Sequence, residues 1–194
     1  MANDHADHDS HDDPEPGEYD HSTHDPDHHA HDAEEISAAV VTVSTSRETG
    51  EDPSGDAIIE ILEEHGSELG HRELIGDEFD QVQQTVTTLA DRDDVDLIVT
   101  TGGTGVTPDD VTVEAVSPLL GKTLPGFGEL FRTLSYEEVG TRIVATRAIA
   151  GITEGVPVFC LPGSENAVRL GTREIIVEEA PHLVGLAVRE SDAE

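Results

Sequence analysis

The chain has 194 residues and a formal net charge of −33, with 43 acidic residues against 10 basic ones. A field of that sign repels polyanions, which argues against nucleic acid or an anionic membrane surface as a partner. The sequence has neither a secretory signal segment nor an apolar run near the roughly 18 residues that span a bilayer, and we therefore expect a cytoplasmic protein.

The first 35 residues differ in composition from the rest of the chain. They contain eight histidines, thirteen acidic residues and no lysine or arginine, which leaves too little apolar surface to form a core. We expect a disordered acidic, His-rich tail over 1–35 and one folded domain over 36–190. The histidines suit zinc, nickel or copper, although a solvated tail that binds metal adventitiously explains the same composition.

The basic residues are unusual as well, because Lys122 is the only lysine and nine arginines supply the rest. Residues 36–194 carry a net charge of −20, and this bias resembles halophilic proteins, which predicts a haloarchaeal host. At molar salt the Debye length is about 3 Å, which screens repulsion between the acids. Cys160 is the only cysteine, so we expect a buried core thiol and no intrachain disulfide.

The apolar pattern predicts alternating strands and helices over the first half of the domain. The strands are buried β-branched runs, and the helices are amphipathic segments that follow them. In chain order they are a strand over 36–43, a helix over about 55–65, a strand near 69–75, a helix over about 78–91 and a strand over 96–101. Ser54 and Asp77 are the expected N-caps of the helices. This alternation indicates a mostly parallel, doubly wound sheet.

The second half of the domain has a less regular pattern. In chain order it contains a helix from near Asp110, a helix after Pro125-Gly126, helix or loop over 138–147, two strands within 148–161, a helix from Pro162 to about Glu179 and a short helix from Pro181. Glu154-Gly155 is suitable turn chemistry between the two strands. Pro157 indicates that one of these strands lies at an edge of the sheet.

A glycine-rich loop, Thr101 to Gly105, lies between the end of a buried strand and the start of a helix. Open α/β sheets bind ligands at this edge. Glycine amides approach an anion closely, and the dipole of the next helix adds about half a positive charge. The loop therefore favours phosphate or pyrophosphate, although a glycine turn here is also common as a tight connection without a ligand.

Acidic residues flank the same edge of the sheet. Thr107 and Asp110 follow the glycine loop, whereas Asp52, Ser54 and Gly55 follow the first strand. A carboxylate beside bound phosphates needs a cation, so we interpret Asp52 and Asp110 as Mg²⁺ ligands. The alternative is structural, because acids at such places often only cap a helix or shape a turn.

A third loop, Pro162-Gly163-Ser164, again lies between a strand and a helix start. Its free backbone donors and the small hydroxyl of Ser164 suit another anionic or polar group. The residues that can bind a ligand thus come from three loops at one predicted edge.

Four segments in order resemble the MoaB/MogA family of molybdenum-cofactor biosynthesis proteins. They are G-G-T-G-V-T-P-D-D-V-T from Gly102, P-G-F-G-E-L-F-R-T-L-S-Y-E-E-V-G-T from Pro125, T-R-A-I-A-G from Thr146 and L-P-G-S-E-N-A from Leu161. The likeness covers about residues 36–188 and leaves out the acidic tail. Asp109 departs from the family pattern, in which Arg is often found, and P-G-S-E-N replaces the P-G-N-P-x of plant and animal relatives.

The resemblance implies an α/β fold, a three-layer sandwich around a mostly parallel doubly wound sheet, which assembles as trimers or hexamers. It implies a molybdopterin adenylyltransferase that transfers AMP from ATP with Mg²⁺ to molybdopterin and releases pyrophosphate, in molybdenum or tungsten cofactor biosynthesis. A downstream metal-insertion enzyme is the implied partner. Two other hypotheses stay open: a non-catalytic molybdopterin-binding carrier or scaffold protein, and a different enzyme that reuses the domain.

The resemblance also assigns roles to single residues. Asp110 and Asp52 match acids that act in adenylyl transfer and Mg²⁺ binding. The remaining matches are Gly102, Gly103, Thr104, Gly105 and Thr107 for the nucleotide phosphates, and Ser44, Ser54, Gly55, Pro162, Gly163 and Ser164 for the pterin and phosphate cleft. Arg147 contacts an anionic substrate or forms a structural ion pair.

Overall fold

The structure is a computed structural model that describes residues 32–44 and 51–187. Almost all of the expected tail lies outside the described residues, including its eight histidines, so the boundary at residue 35 stays a prediction. No helix in the described part of the chain is both long enough and apolar enough to cross a membrane.

Strands and helices alternate along most of the domain. The strands are β1 Ser37–Val43, β2 Glu68–Ile75, β3 Leu97–Thr101, β4 Lys122–Thr123, β5 Ile149–Thr153 and β6 Val156–Leu161. The helices are α1 Pro53–Glu64, α2 Phe79–Ala90, α3 Thr112–Val116, α4 Pro125–Val139, α5 Glu165–Gly171 and α6 Val177–Ala187. Short 3₁₀ turns cover Ser117–Leu119 and Gly140–Ala145, and a π-helical turn, Thr172–Ile176, joins α5 to α6.

The strands form one six-stranded sheet in the order β2-β1-β3-β6-β5-β4. Neighbouring strands from β2 to β6 are parallel, whereas β5 is antiparallel to both of its neighbours. Five strands therefore run in one direction, and the predicted mostly parallel sheet is confirmed. The two-residue strand β4 was not predicted, because it is too short to show a periodic pattern.

Alternate residues of the central strands face two separate hydrophobic cores. Val40 and Val99 pack in the core under α1, α4, α5 and α6, whereas Val41, Ile98 and Cys160 pack in the core under α2 and α3. Helices thus cover both faces, which confirms the three-layer sandwich. Burial raises the pKa of the Cys160 thiol to about 12, as expected of a core thiol rather than a reactive one.

The helix starts differ from the predicted ones. Helix α1 begins at Pro53, and its N-cap is Asp52, whose Oδ1 accepts a hydrogen bond of 2.9 Å from the amide of Gly55. The prediction of Ser54 as the cap is wrong, because the fixed φ of Pro53 suits the first helical position and places Ser54 inside the first turn. The prediction of Asp77 as the N-cap of α2 is wrong too, because the N-cap is Glu78, whose side chain makes no capping hydrogen bond.

Two prolines also lie in unexpected places. The prediction from Pro157 that one of the last two strands lies at an edge is wrong, because β6 lies between β3 and β5 and β5 lies between β6 and β4. Pairing with β3 begins one residue later, at Val158, so the missing amide of Pro157 interrupts no bond between these strands. Pro181 does not begin a helix but lies inside α6, where Ala180 and Val184 are buried against the sheet and keep the helix in place. The turn predicted at Glu154-Gly155 is confirmed, with φ of 48° and 87°.

Candidate functional site

Three loops meet at the carboxyl edge of the parallel strands, as the sequence pattern indicates. The amide of Gly102, after β3, donates to the carbonyl of Leu161 at the end of β6, over 3.0 Å. The hydroxyl of Thr101 donates to the carbonyl of Pro162 over 3.0 Å. The hydroxyl of Ser54, in α1, donates to the carbonyl of Gly163 over 2.9 Å. Loops that are distant in the sequence are therefore fixed against one another.

The first cleft is a cavity of about 160 Å³ between these loops. Its polar lining comes mainly from Ser44, Glu51, Asp52, Ser54, Thr101 and Gly163. Four of these, Ser44, Asp52, Ser54 and Gly163, are site residues predicted from the sequence, and the structure brings them together. Hydroxyl and carboxylate groups at the end of a parallel sheet are suited to a polar ligand with a cation.

Asp52 lies at the wall of the first cleft, and only 8% of the residue is exposed. Its Oδ1 accepts from the amide of Gly55, and its Oδ2 accepts from the hydroxyl of Thr42 over 2.7 Å and from Nη2 of Arg72 over 3.1 Å. This hydrogen bond raises the pKa of Arg72 above its usual value. The carboxylate is thus held by three donors and is balanced by one cation.

Gly55 has a steric role beside Asp52. A Cβ at this position would lie 2.1 Å from Oδ2 of Asp52 and 2.8 Å from Oγ1 of Thr42. These distances are far below van der Waals contact, so any larger residue would displace the carboxylate or the helix start. The missing side chain of Gly55 thus shapes the cleft indirectly, because it allows Asp52 to take this position.

The glycine loop has backbone conformations that favour glycine. Gly102 and Gly103 have φ of 96° and 66°, and a Cβ at Gly102 would lie 2.2 Å from the carbonyl oxygen of Val43. The hydroxyl of Thr112 donates to the carbonyl of Gly102 over 2.8 Å, and its amide donates to Gly103 over 2.9 Å. Thr104 is buried. These contacts support the tight-connection interpretation, which is compatible with anion binding by the amides.

Asp110 closes its own loop rather than capping α3. Its Oδ2 accepts from both the amide and the hydroxyl of Thr107, each over 2.7 Å, while α3 begins at Thr112 with Val111 in the cap position. The N-cap alternative at Asp110 is therefore wrong, whereas the helix predicted to start near Asp110 begins two residues later, at Thr112. Burial acts to raise the pKa of Asp110, but the hydrogen bonds from Thr107 outweigh it and hold that pKa below 3.8. Asp110 is a carboxylate at neutral pH.

Arg147 braces the glycine loop against α3. Its Nε donates to the carbonyl of Gly105 over 2.6 Å, and its Nη2 donates to the carbonyl of Asp110 over 3.0 Å. Both of its Nη atoms also pair with the carboxylate of Glu114. This ion pair lowers the pKa of Glu114 below its usual 4.5. The sequence left two interpretations of Arg147, a contact to an anionic substrate or a structural ion pair, and the structure contains the ion pair.

The second cleft has a volume of about 340 Å³ and lies between the C-terminal half of α4 and the start of α5. Its lining includes Phe131, Ser135, Ile143, Thr146, Pro162, Ser164 and Asn166. Pro162 and Ser164 line this cleft while Gly163 lines the first, so the loop 162–164 separates the two. Within the described residues, the hydroxyl of Ser135 has no hydrogen-bond partner, although the residue is only 6% exposed.

Sequence reasoning missed Arg72, Ser135, Thr146 and Asn166 as site residues. Nothing local distinguishes Arg72 within a strand, whereas Ser135, Thr146 and Asn166 lie inside the segments that carry the family resemblance. Conversely, Asp110 lines neither of the two clefts. The described residues also contain no group of three or more His, Cys, Asp or Glu side chains placed to hold a metal ion.

Comparison with known proteins identifies the fold and the family. A family model described as "Probable molybdopterin binding domain" matches residues 39–182, which is most of the chain. The chain belongs to this molybdopterin-binding family. The predicted MoaB/MogA resemblance is thereby confirmed, although the haloarchaeal host stays a prediction.

Individual members of the family are similar over most of their length. Molybdenum cofactor biosynthesis protein B from Staphylococcus epidermidis is 43% identical over 153 residues, covering 77% of this chain and 87% of that protein. The crystal structure of a molybdenum cofactor biosynthesis protein B superposes with a TM-score of 0.76 at 41% identity, over 79% of this chain and 96% of that one. The crystal structure of the tungsten cofactor synthesizing protein MoaB from Pyrococcus furiosus superposes with a TM-score of 0.72 at 43% identity, over 78% of this chain and 96% of that one.

Proposed function

We propose that this MoaB/MogA family member is a molybdopterin adenylyltransferase of molybdenum or tungsten cofactor biosynthesis. It would transfer AMP from Mg-ATP to the terminal phosphate of molybdopterin and release pyrophosphate. The observation that carries the proposal is the pair of clefts on either side of the loop 162–164. The first is lined mainly by carboxylates and hydroxyls, and the second is lined by apolar and polar side chains in equal number, with Glu138 and Glu165 among the polar ones. A substrate with a phosphate at one end and a fused ring at the other fits this arrangement.

The first cleft has the groups that phosphates and a cation require. Carboxylate oxygens are the preferred protein ligands of Mg²⁺, which usually completes its shell with water and substrate phosphates. Asp52 offers such oxygens beside the hydroxyls of Ser54 and Thr101, so the donor set fits the ion. The family resemblance assigns Mg²⁺ to Asp52 and Asp110; of the two, Asp52 lines this cleft and would hold the ion there, where it would supply charge neutralisation for the phosphates. The hydroxyls would orient the phosphate oxygens by hydrogen bonds.

The second cleft suits the pterin. Phe131 and Ile143 give it apolar walls for a flat ring system, whereas Thr146 and Asn166 add polar groups at its margin. Among the described residues the buried hydroxyl of Ser135 has no hydrogen-bond partner, and a buried hydroxyl is destabilising unless it is hydrogen-bonded. An amide or amino group on a bound ring would satisfy it.

The reaction needs positioning more than acid or base chemistry. The attacking oxygen belongs to a phosphate that is already ionised, and the leaving pyrophosphate needs no proton at neutral pH. The oxygen attacks the α-phosphorus of ATP while the bond from that phosphorus to the bridging oxygen of the β-phosphate breaks. Fixed loops contribute by holding the two substrates in line, which the brace from Arg147 and the bonds from Thr112 favour.

One observation favours the second candidate, a non-catalytic molybdopterin carrier or scaffold. Asp52 is paired with the guanidinium of Arg72, and Asp110 accepts two hydrogen bonds from Thr107, so neither acid needs a metal ion to be stable where it lies. In a carrier these acids would only shape the loops. Self-association as trimer or hexamer, exchange with a downstream metal-insertion enzyme and a cytoplasmic location stay predictions under either proposal.

The deciding experiment compares the wild type with Asp110→Asn. The purified full chain is incubated in high-potassium buffer with molybdopterin and Mg-ATP, and adenylylated molybdopterin is measured by mass spectrometry. We expect Asp110→Asn to reduce the initial rate at least about a hundredfold, because the family resemblance assigns this carboxylate to the handling of Mg²⁺ and phosphate and the substitution removes its charge. Asp109→Asn is the matched control, since Asp109 is exposed beside it and is expected to keep most of the activity. Wild-type protein that binds molybdopterin but forms no product at any salt concentration would establish the carrier instead.

A further inference from the structure

We propose that Arg72 is a displaceable counter-ion of the first cleft: it competes with a divalent cation for the carboxylate of Asp52, and Asp56 retains the guanidinium when the cation binds. This inference rests on the proposed function only in taking that cation to be the one that accompanies ATP. It gives a role to Arg72, which does not line the cleft and which the sequence pattern did not identify as a site residue.

One nitrogen of Arg72 is shared between two carboxylates. Its Nη2 lies 3.1 Å from Oδ2 of Asp52 and 2.6 Å from Oδ1 of Asp56. The side chain of Asp52 is 8% exposed, whereas that of Asp56 is 63% exposed. A small rotation of the guanidinium can therefore lengthen the longer bond and keep the shorter one. Asp56 offers a solvated position in which Arg72 remains paired.

The carboxylate of Asp52 does not depend on Arg72 for its position. Oδ1 accepts from the amide of Gly55, and Oδ2 accepts from the hydroxyl of Thr42 over 2.7 Å. The absent side chain of Gly55 leaves room for both oxygens. When the guanidinium moves away, these two donors keep the carboxylate at the wall of the cleft. A cation then meets an oxygen that is already in place, which reduces the ordering cost of binding.

The charges explain why such a counter-ion is present. Glu51 and Asp52 both line the first cleft, and burying a carboxylate without compensation is strongly unfavourable. Among the described residues, Arg72 is the only basic side chain that forms an ion pair with an acid of this cleft. A guanidinium and a divalent cation on the same Oδ2 atom repel each other, so occupancy by one opposes occupancy by the other.

The test measures Mn²⁺ binding to the full chain by electron paramagnetic resonance, with no nucleotide present. Sites that are lost in Asp52→Asn define the Asp52-dependent class, which separates them from adventitious sites elsewhere in this acidic protein. We expect Arg72→Gln to tighten Mn²⁺ binding in that class about tenfold, because one nearby positive charge is gone. Asp56→Asn removes the alternative partner, so it should weaken binding about threefold. Arg72→Lys should restore affinity close to that of the wild type.

Two control variants match the charge changes at remote positions. Arg92→Gln breaks an exposed pair with Asp94, and Asp80→Asn removes an acid from the first turn of α2, as Asp56→Asn does in α1. Both should leave the Asp52-dependent affinity unchanged. Thermal unfolding of every variant shows whether it is folded.

The inference is overturned if Arg72→Gln lowers only the unfolding temperature and leaves Mn²⁺ affinity unchanged or weaker, because Arg72 is then a structural brace of α1. It is equally overturned if no variant, Arg72→Gln included, has an Asp52-dependent site. Adenylyl transfer is scored separately. If the wild type forms no product but Arg72→Gln shows the tenfold change in Mn²⁺ affinity, the proposed function is wrong and the counter-ion inference stands. If the wild type forms product but Arg72→Gln does not change the Mn²⁺ affinity, the proposed function stands and the counter-ion inference is wrong.

Discussion

Asp52 shows how one residue can serve the fold and the site together. Its Oδ1 caps α1 through the amide of Gly55, while its Oδ2 receives Thr42 and Arg72 at the wall of the first cleft. The resemblance to MoaB/MogA proteins indicates a site role for this acid, and the predicted turn before α1 indicates a structural one. The structure contains the geometry for both, since the two oxygens have different partners.

Gly55→Ala should test this double role. The new Cβ would lie 2.1 Å from Oδ2 of Asp52, so we expect a loss of about 1–3 kcal/mol in the free energy of unfolding. Gly126→Ala is the matched control in a helix, because its Cβ would meet no atom within 4 Å and should stabilise the protein by about 0.4–1 kcal/mol. Urea unfolding at constant high salt gives both values. If Gly55→Ala and the wild type had the same free energy of unfolding, the start of α1 could shift to make room for the new Cβ, and the prediction would be wrong.

Helix α3 and the glycine loop behave as one element. The loop contacts α3 through Thr112, and Arg147 connects the carbonyls of Gly105 and Asp110 to Glu114. This arrangement explains how a helix of only five residues stays in place next to a loop with two left-handed glycines. The contacts of Arg147 come from the segment before β5, far along the chain from α3.

The pH dependence of stability should report on this element. The pKa of Glu114 is lowered by Arg147, and that of Asp110 is lowered mainly by Thr107, so both carboxylates bind protons less readily in the folded state. The stability they contribute is present above the unfolded-state values near 4 and is lost as the pH falls through the folded-state values. We expect Arg147→Gln to flatten the fall in unfolding free energy below about pH 4.5, since it removes the cause of the Glu114 shift. If the pH profile of Arg147→Gln equals that of the wild type, Arg147 does not stabilise this element through Glu114.

At the scale of the whole molecule, the charge of −33 sets the conditions in which the fold is stable. Acids outnumber bases in the folded domain as well, and two arginines of the described residues pair with two acids each, Arg72 with Asp52 and Asp56 and Arg169 with Glu60 and Glu165. Exposed apolar residues such as Val144, which is 83% exposed, are compatible with the predicted self-association. Like-charge repulsion among these acids nevertheless destabilises the compact state.

Salt should therefore stabilise the protein strongly. Raising KCl from 0.1 M to 2 M shortens the Debye length from about 10 Å to below about 3 Å, which screens repulsion between separated acids. We expect the midpoint of thermal unfolding to rise by about 10 °C or more over this range, given that about 1 kcal/mol shifts it by a few degrees in a domain of this size. Calorimetry across the KCl series, with sucrose as an uncharged control, measures the effect. A flat midpoint would contradict the halophilic prediction.

The sequence by itself determined the local features of this protein. The period of apolar residues predicted five of the six strands, the long helices and the two-sided sheet, and Glu154-Gly155 predicted its turn, because backbone conformation and burial are set by neighbouring residues. The glycine loop and the loop 162–164 could be placed at one edge for the same reason, since parallel strands end together.

Only the tertiary structure decided which side chains meet. Arg72 pairs with Asp52 across 20 residues of chain, Ser135 lines the second cleft, and Arg147 binds the loop that contains Asp110. These contacts depend on which strands become neighbours and on the register between them, and no local pattern carries that information.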